Sequence, residues 1–193
     1  MNLSIIKRKR WRKGNVTTLW AFGLPIFMFI FMFLSTIMLV WLHHAKAMVA
    51  ADAASLAATK KLDGLVNQEI DNRMTTIIAN NSRLPENQRI SDPYYAVIGT
   101  KHKKKNLVKY VINYNQDAIK KEVRKYATAN GTEDSGKIIF FQDGRIRVEA
   151  KVKFNPPIFK DSLKGKYIKG TGDGPTRDYM KWLTRPNQKV LEY

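Results

Sequence analysis

The sequence predicts an α+β protein in which one long N-terminal helix precedes a small antiparallel sheet domain. Three observations predict it. Leu19 to Leu42 is an almost wholly apolar run, helical spacing of apolar residues continues beyond it to about Ile78, and strand-type alternation appears only after Pro93. The expected organisation is a basic arm over 1–18, a transmembrane helix over 19–42, a projecting alanine-rich helix over 43–80 and an exported α+β domain over 81–193.

The arm comes first. Lys7-Arg8-Lys9-Arg10-Trp11-Arg12-Lys13 holds six of the chain's 34 basic residues, and no acidic residue occurs before Asp52. The remaining 28 basic and 16 acidic residues give the rest of the chain a net charge of +12. A domain this basic is drawn to anionic surfaces, and it also stays soluble by charge alone. The chain has no cysteine, which excludes disulfides and thiolate metal sites.

The apolar run LWAFGLPIFMFIFMFLSTIMLVWL has 24 residues. As a helix it is roughly 36 Å long, against a hydrocarbon core of about 30 Å. Trp20 and Trp41 stand near its ends, where indole rings favour the interface. Pro25 lies in the first turns, where a missing amide donor costs least. The basic arm places the N-terminus in the cytoplasm and the bulk of the chain outside it. Ala45-Lys46-Ala47 has the small-x-small form that signal peptidase reads, but the apolar run exceeds the usual 7–15 residues of a signal h-region. A retained single-pass anchor is therefore expected.

Past the span, Ala45, Val49, Ala53 and Leu56, then Leu62, Val66, Ile70, Met74 and Ile77, recur at three- and four-residue spacing. Met48 to Thr59 is rich in alanine, the best helix former. Asn80, Asn81 and Pro85 end the run, which predicts one helix from about Thr17 to Ile78. Small side chains at Ala50, Ala51, Ala53 and Ala54, with Leu56, let another helix approach closely. Asp52 is the lone acid among them: either it pairs with a basic group on a neighbouring subunit, or it lies on a solvated face.

Gly14-Asn15-Val16, Ala21, Leu24-Pro25, the apolar run and Ala50-Ala51-Asp52-Ala53-Ala54-Ser55-Leu56-Ala57-Ala58 together resemble the N-terminal segment of TadG-like proteins of the tight-adherence (Flp) pilus assembly system. The resemblance covers about Lys13 to Lys61. It implies a bacterial membrane protein tied to a pilus or secretion machine, with the lipid bilayer and other pilus-assembly or secretion subunits as partners. TadE-like pseudopilins carry a glutamate five residues after the glycine; Leu19 stands there, so the match is to the TadG-like branch. Longer TadG-like proteins end in a domain with a D-x-S-x-S metal motif, which Asp161-Ser162-Leu163-Lys164 does not supply, so metal-dependent adhesion is not carried over. A long helix followed by a small antiparallel sheet is also the architecture of pilin-like proteins.

In the exported part, Val108, Tyr110, Ile112 and Tyr114 alternate within Asn106 to Asn115, which predicts a strand. Asp117 to Ala129 predicts a short helix with Ala118, Val123, Tyr126 and Ala127 inward. Gly131 to Gly136 predicts a loop. Lys137 to Gln142 and Arg145 to Phe154 flank a two-residue Asp143-Gly144 turn and predict a hairpin. In its second strand Ile146, Val148, Ala150, Val152 and Phe154 alternate with charged residues, so one face is core and the other wet. Asn155-Pro156-Pro157 ends that strand. Gly165 to Tyr193 is expected to be irregular, with a short helix about Thr176 to Leu183.

The chemistry-bearing spacings are missing. The chain has no G-x-S-x-G, no H-E-x-x-H and no G-x-x-x-x-G-K-[ST]. The stretch Lys169 to Pro175, with Gly170, Gly172 and Gly174, is expected to be a surface turn. Adjacent His43 and His44 point about 100° apart on a helix and cannot share a metal, so they are expected at the membrane interface. No enzyme, cofactor or small-molecule substrate is expected. Lys101, Lys103, Lys104 and Lys105, beside Tyr94, Tyr95 and Tyr110, make a basic and aromatic cluster of the kind that holds DNA or an anionic polymer. Two functions are therefore expected: a membrane-anchored structural component of a Flp/Tad-type pilus assembly or secretion apparatus, or a surface-anchored cationic protein binding DNA or an anionic cell-envelope polymer.

Overall fold

The computed structural model describes residues 16–141, 143–156, 163, 165–183 and 189–193. The basic arm, Gly14, Asn15, Gln142, Pro157, Asp161, Ser162 and Lys164 lie outside the described residues.

The dominant element is α1, Val16–Asn81, a continuous helix of 66 residues that runs through Pro25. At 1.5 Å per residue it is about 99 Å long. Its first part stands alone: Phe22 is 73% exposed, Phe27 66% and Trp41 73%. The helix is long and apolar enough to cross a membrane. Ser35 and Thr36 hydroxyls donate to the carbonyls of Phe31 and Met32 four residues earlier, at 2.8 and 3.0 Å, which hides both polar groups in the helix's own backbone. At the other end Asn81 closes the helix on the following loop. Its amide nitrogen donates to the Ile90 carbonyl at 2.8 Å, and its amide oxygen accepts from the Ile90 amide at 2.9 Å.

Three shorter helices follow: α2 (Pro93–Ile98), α3 (Lys101–Tyr114) and α4 (Gln116–Ala129). Then come β1 (Lys137–Phe140), β2 (Ile146–Lys153), β3 (Tyr167–Asp173), a 3₁₀ turn at Asp178–Trp182 and β4 (Lys189–Glu192). The sheet is antiparallel throughout, in the order β3-β2-β1-β4. Its inner face packs on α1, and α2, α3 and α4 complete a single core. Leu62 and Val66 of α1, Leu107, Val108 and Val111 of α3, Ile119 and Val123 of α4, and Ile138, Ile146 and Val148 of the sheet meet there. Residues 43–80 therefore share a core with the rest of the chain as its spine.

Two expectations are overturned. Asn106 to Tyr114 is helical, as the main part of α3, with Asn115 as its C-cap. Val108 and Ile112 are four apart as well as alternate, and Leu107, Val108, Val111 and Ile112 form the buried helical stripe. Tyr110 and Tyr114 lie on the wet side, ring centroids 4.3 Å apart. Gly165 to Tyr193 is not irregular: it supplies β3 and β4, and the short helix expected about 176–183 appears as the 3₁₀ turn. Of the glycines that suggest a turn, Gly170 and Gly172 are the buried residues of β3, and Gly174 is buried just after it.

Elsewhere the pattern holds with adjustments. The helix over 117–129 is present, but its inward residues are Ile119, Val123 and Ala127, and Tyr126 is exposed. The hairpin is present with Phe140 opposite Ile146 as its last pair. The Phe141 amide donates to the Arg145 carbonyl at 3.0 Å, so the connection is longer than the two residues expected. Gly144 sits in it at φ +93°, a conformation glycine adopts without a Cβ clash. In β2 the alternation is as read, with Ile146, Val148, Ala150 and Val152 inward.

Candidate assembly surface

The alanine segment of α1 has two faces with different fates. Ala47, Ala50, Ala51, Ala54, Ser55, Ala58 and Thr59 form a small-residue stripe that is buried. The residue types explain the burial. Thr59 and Ser55 turn their hydroxyls back to the carbonyls of Ser55 and Asp52, at 2.9 and 2.8 Å, so the stripe exposes no unsatisfied donor. Against Ala47, Ala51, Ser55 and Thr59 lies β3 of the same chain with the residue that follows it.

The fit depends on glycine. A Cβ at Gly170 would overlap the backbone between Ala47 and Met48; one at Gly172 would overlap Ala51 and Asp52; one at Gly174 would meet Ser55 and Thr59. These contacts step together along both elements. Two residues of strand advance about 6.6 Å, and four residues of helix about 6.0 Å. Gly170, Gly172 and Gly174 therefore keep pace with Ala47, Ala51 and Ser55, and β3 climbs α1 in register. Within the sheet, side chains grow with distance from this seam. Gly172 lies beside Val148, which lies beside Ile138, then Leu191.

The opposite face of the segment is uncovered. Val49 is 60% exposed and Leu56 56% exposed, and Asp52 is exposed between them. With half-buried Ala53, these residues sit at i, i+3, i+4 and i+7, on one line along the helix. Among the described residues Asp52 makes no ion pair. Of the residues expected to pack a helix, Ala50, Ala51 and Ala54 are buried within the chain itself, Ala51 against β3, and Ala53 is half-buried, whereas Asp52 and Leu56 face outward.

Polar clamps fix the sheet and its trailing turn to this helix. The Arg177 guanidinium grips Asp63 of α1 through Nε at 3.0 and 2.9 Å, and the Tyr179 hydroxyl donates to the same carboxylate at 2.6 Å. Burial, and then the bond to Asp63, pushes the Tyr179 hydroxyl far above its ordinary value. On the sheet's outer face Arg147 binds Asp173 at 2.6 and 2.8 Å, which holds that carboxyl below its ordinary value. Arg145 does the same to Asp143, at 2.8 and 2.5 Å. Burial pushes the Tyr193 hydroxyl up to about 12. Sequence reasoning missed Asp63, Arg177 and Tyr179, which carry no local signature because more than a hundred residues separate the partners. It also missed the glycine strand, whose signal was the alternate spacing of Gly170, Gly172 and Gly174.

Lys101, Lys103, Lys104 and Lys105 open α3, behind the N-cap Thr100, whose hydroxyl accepts from the Lys103 amide at 3.3 Å. Lys101 and Lys103 are exposed, and Lys104 and Lys105 half-buried. Tyr94 and Tyr95 are exposed on α2, but the Tyr110 ring is covered by the Arg73 guanidinium at 5.1 Å. No group of three or more His, Cys, Asp or Glu residues able to hold a metal occurs among the described residues.

Residues 14–61 match the family model described as putative Flp pilus-assembly TadE/G-like. The match ends just before Asp63, so this TadE/G-like segment contains the apolar span, the buried small-residue stripe and the uncovered Val49–Leu56 line. The clamps and the glycine strand lie beyond it. No curated protein and no solved structure matches the chain.

Proposed function

We propose that this protein is a membrane-anchored structural component of a Flp/Tad-type pilus assembly or secretion apparatus. Residues 19–42 cross the cell membrane once, with the basic arm in the cytoplasm and the sheet domain exported. The uncovered line Val49, Asp52, Ala53 and Leu56 meets other subunits of the apparatus. The single observation that carries this reading is that the alanine part of the matched segment is covered by its own chain on one face only. Two large apolar side chains remain on the other face with one acid between them. Asp52 serves there as the partner of a basic group on a neighbouring subunit, where sequestration makes such a pair matter. Co-purification of the full chain from detergent, combined with its deletion, tests the proposal. Recovery of pilus or secretion subunits and loss of piliation are expected; recovery of unrelated proteins alone, with piliation intact, overturns it.

A second reading, a surface-anchored cationic protein holding DNA or an anionic cell-envelope polymer, is favoured by the lysines that open α3. Lys101 and Lys103 lie in the first turn, where positive charge works against the helix dipole. This reading requires binding that falls steeply with added salt. Salt-independent retention on DNA or wall polymer, or none, removes it.

A further inference from the structure

The end of the domain nearest the apolar span is cationic, and among the described residues its lysines make no ion pair. Its position follows from two contacts of the first turn beyond Leu42. The His43 ring meets Phe154 edge-on at 5.6 Å, and His44 Nδ1 lies 2.9 Å from the Lys169 carbonyl. The end of β2 and the beginning of β3 are thus level with the top of the apolar span. Gly170 touches α1 at Ala47, five residues past Leu42, or about 7.5 Å along the helix axis. Tyr167 begins β3 three residues earlier, about 10 Å back toward the span. The headgroup layer on each side of a bilayer is roughly 5–8 Å deep, so this edge lies within it.

The outer face of the sheet changes character along its length. Farthest from the span, Arg147 pairs with Asp173, and beside it Glu149 faces Thr171. Nearer the span Lys151 stands directly opposite Lys169, and Lys153 opposite Tyr167. Like charges opposed across strands destabilise a sheet. The nearest sheet carboxylates, Glu149 and Glu192, belong to the row above, with Lys137 between them. Among the described residues Lys46, Lys151, Lys153, Lys166 and Lys169 make no ion pair, whereas Arg145, Arg147, Arg177 and Lys181 all do. The Lys151 ammonium rests 5.0 Å over the Tyr167 ring, and tyrosine is a residue of membrane interfaces.

We propose that this edge is a lipid-binding surface: Lys151, Lys153, Lys166 and Lys169, with Tyr167, dock on the anionic phospholipid headgroups of the leaflet from which α1 emerges. The proposal rests on residues 19–42 crossing that membrane. The lipid supplies the negative charge that the local sheet lacks, and the opposed lysines stop being a liability. Attraction of this kind amounts to roughly fivefold in binding per lysine at low salt and is screened within a Debye length.

The test uses the full chain, whose lack of cysteine permits single-site labels. A polarity-sensitive fluorophore is attached at Asn155→Cys, an exposed position just past Lys153, or at Thr76→Cys near the far end of α1. The protein is reconstituted into phosphatidylcholine vesicles with or without phosphatidylglycerol, and carbonate extraction reports anchoring separately. The expected result is that headgroup-labelled lipid quenches the first probe and not the second, at least fivefold more with phosphatidylglycerol than without. Salt, or combined replacement of the four lysines by glutamine, should abolish the difference. Anchored protein whose first probe ignores lipid charge or the lysine replacement overturns the lipid surface and leaves the anchor standing. Loss of the protein on extraction overturns the anchor and the lipid surface with it. Response to a soluble polyanion but not to phosphatidylglycerol assigns the edge to a polymer and overturns the proposal.

Discussion

Gly172 lies directly on the backbone of α1 at Ala51, with no room between them for a side chain. The spine of the domain and its sheet are joined at that contact and its two neighbours, so the seam decides how closely the sheet seats on the helix.

Replacing Gly172 with valine should therefore cost about 3 kcal/mol, at the upper end of overpacking because the obstacle is helix backbone. Gly64 is the control. It lies in the same helix with nothing within 4 Å of a would-be Cβ, so Gly64→Ala should stabilise by up to about 1 kcal/mol. Chemical unfolding of the detergent-solubilised chain measures both.

Asp63 collects an arginine and a tyrosine from a turn that otherwise trails the sheet. Asp63→Ala should destabilise by about 2 kcal/mol and Tyr179→Phe by about 1 kcal/mol. The two effects should fall short of additivity in a double-mutant cycle, since both remove the same bond. Additive losses would mean that the Tyr179 hydroxyl acts independently of Asp63.

Acid should weaken the fold through Asp173. Its carboxyl titrates below the ordinary 3.8 because Arg147 is bonded to it, so the unfolded chain takes up the proton first. The stabilisation is complete above the unfolded value and disappears as pH falls through the lower, folded one. Both partners are about a third exposed, so roughly 1 kcal/mol at most is involved. The urea midpoint of Asp173→Asn should depend less on pH than that of the parent chain from about pH 5 down to about pH 3.

The two faces of the alanine segment should separate folding from assembly. Ala51→Leu forces bulk into the seam and should lower stability by about 2 kcal/mol. Leu56→Glu changes an exposed position and should leave stability within about 0.5 kcal/mol. It should nevertheless abolish co-purification with partner subunits. Normal assembly by a stable Leu56→Glu protein would move the contact surface elsewhere.

The first turn of α3 provides a test with the opposite sign. Lys101→Glu places an acid where the helix dipole favours one, and should raise stability by about 0.5 kcal/mol. If the lysines hold a polyanion, the same change should reduce retention on it.

The long helix was legible because its periodicity, alanine content and terminal asparagines all agree, and β2 because charge and apolarity alternate without exception. The α3 stripe was misread because Val108 and Ile112 satisfy both periods, and only the burial of Leu107 and Val111 decides between them. At the candidate surface, composition marked the alanines but could not say which face was covered. Val49 and Leu56 look like core residues in sequence, yet the smaller Ala47, Ala51 and Ser55 are buried, because a strand of alternate glycines can approach only small side chains. That strand is more than a hundred residues away and was read as a turn because glycine usually punctuates structure.

The continuity of α1 through residue 81 makes the protein a lever. From Leu42 to Asn81 the helix rises about 58 Å, so a 10° change in the tilt of the apolar segment displaces the far end by roughly 10 Å. Because the sheet is seated on the helix by backbone contact, it travels with that motion. Whatever tips the apolar end therefore repositions every exposed residue above it, without a hinge and without unfolding.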